Sequence, residues 1–347
     1  MATPLAEVGG QLGLTAERIK QIVKEQGWDM IRDPNGYIKL PVATIRKLLR
    51  NRGRRFRPTE ATIGLIKGGV GKSLCTINTA LAASHRGAVC IVYDLDPESC
   101  STQYLLDPQK TDIRTCPTIL EIVRDGVPVR EAVVDTRFDG VKLIPCRSRS
   151  RRVDSLLLNE NPATLMRRQI EELRQTEEVD LVLWDCPPNF CGSVESAYLA
   201  SSVVVCVTNS DLWSLESLEL TIEDLRGSSA KWRCPMPELA VLRNKVAPPQ
   251  RRDSREIAEE LAKDYANLLL DIVIKQSALL SNAINDGTSI FEMRGTTEHR
   301  AAFLQLFDYL CPLEQVAAAE DEGGMPVVSP QMRRKTRRAD DASDSHT

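Results

Sequence analysis

Histidine is nearly missing: among 347 residues only His85, His299 and His346 occur. That supply excludes a His-rich zinc centre and argues against a nucleophile–histidine–carboxylate triad. Cysteine occurs ten times but never as C-x-x-C. Cys90 (in AVCIVY) and Cys206 (in VVVCVT) lie in apolar runs and read as small buried hydrophobes, not metal ligands. No apolar run reaches the ~20 residues that cross a bilayer, and MATPLAEVGG lacks the basic and apolar blocks of a signal peptide. A cytoplasmic protein is the expectation. A dominant charge sign is missing too, with 45 Lys+Arg against 48 Asp+Glu, a net of −3.

That near-balance is an average over two unlike parts. Residues 1–60 carry twelve Lys+Arg against six Asp+Glu, while the remainder nets −9. Such asymmetry suggests that one end meets a polyanion. What is present is enough apolar residue, 42%, to bury a core, in a length that suggests about two domains.

Residues 1–57 read as a small helical module with a basic linker. VGGQLGL predicts a short helix ended by Gly13, and Thr15 caps a second, TAERIKQIVKEQG, with Ile19, Ile22 and Val23 at helical spacing. RDPNGYIKL predicts a hairpin turning at Asn35-Gly36. PVATIRKLLRNRG predicts a basic amphipathic helix, and GRRFRP a linker. From residue 58 to 312 strands and helices alternate: ATIGLI, AVCIVYDLD, GVKLIP, VDLVLWD, SVVVCVT and LAVLRN are strands, which predicts an α/β fold with a mostly parallel sheet covered on both faces. Residues 313–347 are polar, include the basic run RRKTRR, and predict a disordered tail.

The strongest chemical signal is Lys67-Gly68-Gly69-Val70-Gly71-Lys72-Ser73, lying between a predicted strand and a predicted helix. Glycines let backbone N–H groups curl around phosphate oxygens, and the helix N-terminus adds its positive dipole end. Lys72 would reach the β- and γ-phosphates and Ser73 would ligate Mg²⁺. Acidic strand ends complete the set. Asp185, before Cys186-Pro187-Pro188, sits where a Mg²⁺-holding carboxylate belongs, Asp94 is a second metal candidate or a local cap, and Asp96 would orient the attacking water.

KGGVGKS, with lysine at both ends, resembles the deviant Walker A box of the ParA/MinD ATPases. So do Asp94-Leu95-Asp96-Pro97, Asp185-Cys186-Pro187-Pro188, the helix TINTALA and the segment GTSIFE. The likeness covers about residues 60–312 and implies a P-loop NTPase fold and an ATP-sandwich homodimer. In such a dimer Lys67 reaches the partner's nucleotide, a catalytic cation beside Lys72 and Asp96. It also implies ATP contacts along residues 67–74 and an adenine contact at Asn244. One departure is Leu74, where the family usually has a phosphate-touching hydroxyl. Another is the stretch after residue 274, where Lys275 is the only nearby cation.

The basic module has residue types suited to DNA. Arg18, Lys20 and Lys24 lie on the helix after the turn, and Arg32 and Lys39 flank the hairpin. Further cations follow from Arg46 to Arg57, and two weaker clusters lie at Arg147–Arg152 and in RRKTRR. The module resembles winged helix-turn-helix regulators, and the pairing of such a domain with this ATPase resembles the large plasmid-partition ParA proteins. The resemblance implies a nucleoid-associated DNA-segregation ATPase that binds DNA nonspecifically and at an operator, represses its own operon, and is stimulated by a ParB-type adaptor, without a membrane. Three other readings stay open: an ATP-responsive repressor without significant turnover, a MinD-like positioning ATPase, and an iron–sulfur reductase-type relative, which would need paired cysteines at a dimer interface that the spacing here does not favour.

Overall fold

The computed structural model describes residues 2–157, 161–209, 211–246 and 252–316. RRKTRR, and the tail expected beyond residue 316, lie outside the described residues.

The first fifty residues hold strand β1 (Thr3–Pro4), helices α1 (Leu5–Leu12) and α2 (Ala16–Glu25), strands β2 (Ile31–Arg32) and β3 (Ile38–Leu40), and helix α3 (Val42–Arg50). Gly13, at φ 65°, ends α1, and the Thr15 side chain accepts from Arg18 N to start α2. The three strands pair antiparallel in the order β1-β3-β2, with Gly36 at φ 83° in the turn. Ile19, Val23, Ile45 and Leu49 are fully or almost fully buried, which is what the helical spacing of those apolar residues requires.

The chain then runs through β4 (Arg54–Phe56), β5 (Thr59–Gly64), α4 (Lys72–Arg86), β6 (Cys90–Asp94), α5 (Cys100–Leu105), α6 (Ile119–Asp125), α7 (Val129–Ala132), β7 (Val134–Asp135), β8 (Val141–Ile144), α8 (Val153–Leu156), α9 (Pro162–Thr176) and β9 (Leu181–Asp185). It continues through α10 (Gly192–Ala200), β10 (Val203–Thr208), α11 (Leu212–Trp232), β11 (Glu238–Val246), α12 (Arg252–Asp264), β12 (Leu269–Lys275), α13 (Ala278–Asn285), α14 (Thr297–Leu310) and β13 (Leu313–Gln315). Among the described residues eight strands form one sheet, ordered β12-β11-β10-β5-β9-β6-β8-β7 and parallel except for the edge strand β7. Helices α4 and α14 pack on one face, and α9, α10 and α11 on the other. Covering both faces explains why β6, β9 and β10 are apolar along nearly their whole length, with every residue buried.

Two expectations are corrected. The stretch 53–58 is not merely a linker, and residues 313–315 do not open a disordered tail. β4 and β13 pair antiparallel, Arg57 N donates to Pro312 O, and Phe56 buries its ring edge-on against Phe307, 5.4 Å between centroids. A buried aromatic pair and a hydrogen-bonded ladder outweigh the local basic composition.

The module is also docked, not merely tethered. Ile45 packs on Gly87, Val42 on Gly140, and Asp139 accepts from Val42 N at 2.7 Å. Thr3 Oγ1 and Gln11 Nε2 donate to the carbonyls of His85 and Arg86. Glu7 pairs with His85 and Arg300, which hold its carboxyl down at about 2, the hydrogen bond from His85 counting most. Arg46 pairs with Asp180 and Glu178, and Arg50 with Glu178. These two cations, expected to add phosphate contacts, instead fasten α3 to the body. The contacts fall where the parallel strands begin, at Ala88, Gly140 and Asp180.

Candidate functional site

The opposite edge, where β5, β6, β9 and β10 end, gathers the chemistry. Residues 65–71 leave β5 and turn into α4, with Gly69 at φ 76° and Gly71 at φ 96°, values that a side chain would resist. Lys72 opens α4 and is buried, and its ammonium donates to Lys67 O at 2.7 Å. Burial lowers its pKa, and the nearby Asp185 carboxylate opposes that. Lys67 Nζ is paired with Asp211, the N-cap of α11, and donates to Ser214 Oγ at 3.1 Å. Asp211 is held below its usual pKa: partial burial opposes this, but the hydrogen bonds from Lys67 and Ser214 prevail.

Asp94 and Asp185 stand side by side in the β6–β9 ladder, both fully buried. Asp94 is spent on its own chain. Its Oδ1 accepts from Asp96 N at 3.0 Å, and its Oδ2 accepts from Thr102 N and Oγ1 at 2.9 and 2.6 Å. Those bonds make Asp94 the cap of the β6–α5 turn. Asp185 accepts from Ser101 Oγ at 2.6 Å through Oδ2, while its Oδ1 is buried without a hydrogen-bond partner. Burial pushes both carboxyls up, Asp94 also through its negative neighbour Asp185, whereas the Ser101 and Ser73 hydroxyls pull Asp185 back down. Asp96 is buried near the same edge, its Oδ1 accepting from Glu98 N at 2.9 Å. Ser73, Asp185 and Lys72 are thus together, with Asp96 close enough to act on the charge of the last two.

Asn244 arrives from the end of β11. Its Nδ2 donates to Val70 O at 2.7 Å, and its Oδ1 is buried and unpartnered. Val70 is buried under the loop, and Leu74 is half-buried in the first turn of α4. Sequence reasoning missed Asp211, Ser214, Ser101, Thr102 and Lys245. Only Asp211-x-x-Ser214, an N-cap pattern directly after an apolar strand, carried a readable signal.

In the N-terminal module Arg18, Lys24 and Arg32 are exposed and Lys20 and Lys39 half-exposed; of these Lys20, Arg32 and Lys39 line a cleft of about 610 Å³ between α2 and the hairpin. Lys39 is within 3.5 Å of Asp33. Arg147 is paired with Glu121 and Lys275 with Glu298, so neither is a free cation. Within helices of the described residues, none is long and apolar enough to cross a membrane.

Residues 61–231 match the model of a AAA domain. Over 233 residues the chain is 29% identical to the chromosome partitioning protein ParA of Caulobacter vibrioides, covering 65% of this chain and 83% of that protein. It superposes on an ATP complex of Cyanothece McdA, carrying one substitution, with a TM-score of 0.65 at 19% identity, covering 73% of this chain and 96% of that one. It also superposes on a plasmid partition protein of Borrelia burgdorferi bound to AMPPNP, with a TM-score of 0.60 at 20% identity, covering 72% and 98%. Sheet order, loop and likeness agree: the chain has the P-loop fold seen in ParA- and MinD-type proteins, and its residues 61–231 are similar to a AAA domain.

Proposed function

We propose that the chain is a Mg²⁺-dependent ATPase of DNA partition, working as an ATP-bound homodimer. The observation that supports this best is the convergence of the 67–73 loop, buried Lys72 and the unpartnered Asp185 oxygen at one sheet edge. An orphaned carboxylate oxygen beside a serine hydroxyl suits a hard divalent cation, so Ser73 and Asp185 would hold Mg²⁺. When bound, Mg²⁺ supplies charge neutralisation for the transferring phosphoryl group. Lys72 would meet the phosphates, and Asp96 is the carboxylate that would orient water. Residues 68–74 would line the phosphates, and the Asn244 Oδ1 suits an N–H donor such as the adenine amino group. Asp94 is a structural cap in this reading, not a ligand. A Lys72→Ala chain should lose hydrolysis by at least about a hundredfold. Wild-type turnover in that variant would remove the enzymatic reading.

The N-terminal module, residues 1–57, would read DNA as a winged helix-turn-helix. Arg18, Lys20, Lys24, Arg32 and Lys39 are surface cations on its second helix and hairpin, and operator binding by it would repress the chain's own operon. A ParB-type adaptor would stimulate hydrolysis, and the ATP-bound dimer would associate with the nucleoid. One observation favours the alternative of an ATP-responsive repressor with little turnover: Lys67 is engaged by Asp211 of its own chain. Single-turnover hydrolysis with and without DNA separates the two.

A further inference from the structure

Strand β11 does not end cleanly. Its pairing with β12 slips register between Arg243 and Val246, and within that irregularity Lys245 takes φ 51°, the left-handed region that a long side chain disfavours. The distorted backbone delivers two consecutive side chains to the phosphate loop. Lys245 Nζ donates to Gly69 O at 2.6 Å, and Asn244 Nδ2 donates to Val70 O at 2.7 Å. A Cβ on Gly71 would collide with Asn244 Nδ2, so the loop and the strand end are fitted to one another.

The peptide plane turns these two bonds into a statement about donors. In a trans peptide the N–H points opposite to the C=O of the same unit, and no cis bond is present among the described residues. Holding the Gly69 carbonyl toward Lys245 therefore turns the Val70 N–H the other way, and holding the Val70 carbonyl turns the Gly71 N–H likewise. Amide N–H groups fixed in advance on one side of a loop are what phosphate recognition needs.

We propose that Lys245 is a positioning residue of the nucleotide site: its ammonium braces the Gly69 carbonyl outward so that the following amides face the phosphates. This rests on the nucleotide-binding reading above and adds to it a residue outside the loop. Persistent left-handed strain at a non-glycine residue fits a position retained for its side chain rather than its backbone.

The strain also supplies the test. Lys245→Gly relieves the backbone and deletes the ammonium, so stability and affinity should move apart. The full-length chain would be titrated with a fluorescent mant-ADP in Mg²⁺ and melted without nucleotide. The expected result for Lys245→Gly is an unchanged or raised melting temperature with about a tenfold weaker Kd, the scale of one charge-assisted hydrogen bond. Lys245→Arg, which keeps a cationic donor, should bind like wild type, and Lys245→Met should weaken binding as glycine does. Wild-type affinity in folded Lys245→Gly and Lys245→Met would overturn the proposal. So would affinity falling only in step with melting temperature, which would mean a packing role. A wild-type chain that binds no mant-ADP would overturn the nucleotide reading itself and the brace with it.

Discussion

At the scale of the residue, the decisive contrast is between two neighbouring buried carboxylates with different employment. Asp94 has three donors from its own turn, and Asp185 accepts from Ser101 through Oδ2, with the Ser73 hydroxyl nearby and its Oδ1 to spare. Both are pushed above the ordinary carboxylate range by burial. For an acid whose pKa is raised on folding, the folded state binds the extra proton, so stability is lost as pH rises from the unfolded pKa through the folded one. Asp185→Asn removes one of the two buried charges and keeps an acceptor for Ser101. Without nucleotide, the variant should melt higher than wild type near pH 8, by on the order of 2 kcal/mol. The gap should close as pH falls toward 4, where both wild-type carboxyls are neutral, and thermal melts across that range check it. The same variant should lose the Mg²⁺-dependent part of its nucleotide affinity. A variant that melts lower than wild type at pH 8 would contradict a net burial penalty on this carboxylate.

The residue scale is also where sequence was most and least readable. Lys67, Lys72, Ser73 and Asp185 were legible because phosphate chemistry restricts residue type and spacing together. Asp94 was ambiguous, because D-x-D after a strand serves equally as ligand or as cap, and the Thr102 hydrogen bonds favour the cap. Lys245 was invisible: its role depends on a register slip and a positive φ, and neither leaves a mark in composition.

At the scale of the element, helix boundaries followed from local chemistry, as with Gly13 and Thr15. The pairing of β4 with β13 did not, because it joins residues about 260 positions apart and depends on Phe56 meeting Phe307. The docking of α3 is likewise non-local. Arg46 and Arg50 read as a solvated or DNA-facing basic stripe until Glu178 and Asp180 are brought opposite. The close approach of α3 to α4 gives a sharp test. Gly87 ends α4 at φ 86°, and a Cβ there would run into the buried Ile45 side chain. Gly87→Ala therefore combines left-handed strain with overpacking and should cost at least about 2 kcal/mol. Limited proteolysis should show the first cleavage moving into residues 1–57, while an unchanged melting curve and cleavage pattern would sink the docked arrangement.

At the scale of the molecule, docking changes what a deletion means. Removing residues 1–57 also removes β4 and uncovers the surface around Gly87, Gly140 and Phe307, so loss of nucleotide binding in such a chain would report damage rather than function. Surface substitutions are the cleaner probe. Arg18→Ala with Lys20→Ala should leave the melting temperature within about 1 °C, because neither side chain joins the core. If both cations meet phosphates, DNA affinity should drop and the slope of log K against log salt should shrink by up to about 2. An unaltered slope would move the DNA contact elsewhere on the protein.

The phosphate loop and the docked module occupy opposite poles of the sheet, joined by α4, whose fifteen residues span about 22 Å at 1.5 Å per residue. Two copies meeting loop to loop would therefore carry their modules outward, about 45 Å or more apart. That exceeds the ~34 Å of one turn of B-DNA, the spacing at which adjacent half-sites present themselves to a compact dimer. A palindrome with abutting halves would be the wrong ruler for this molecule. If the module reads DNA and the chain dimerises as proposed, its recognition sequences should be sought as repeats set well apart, or on two separate duplexes held by one dimer.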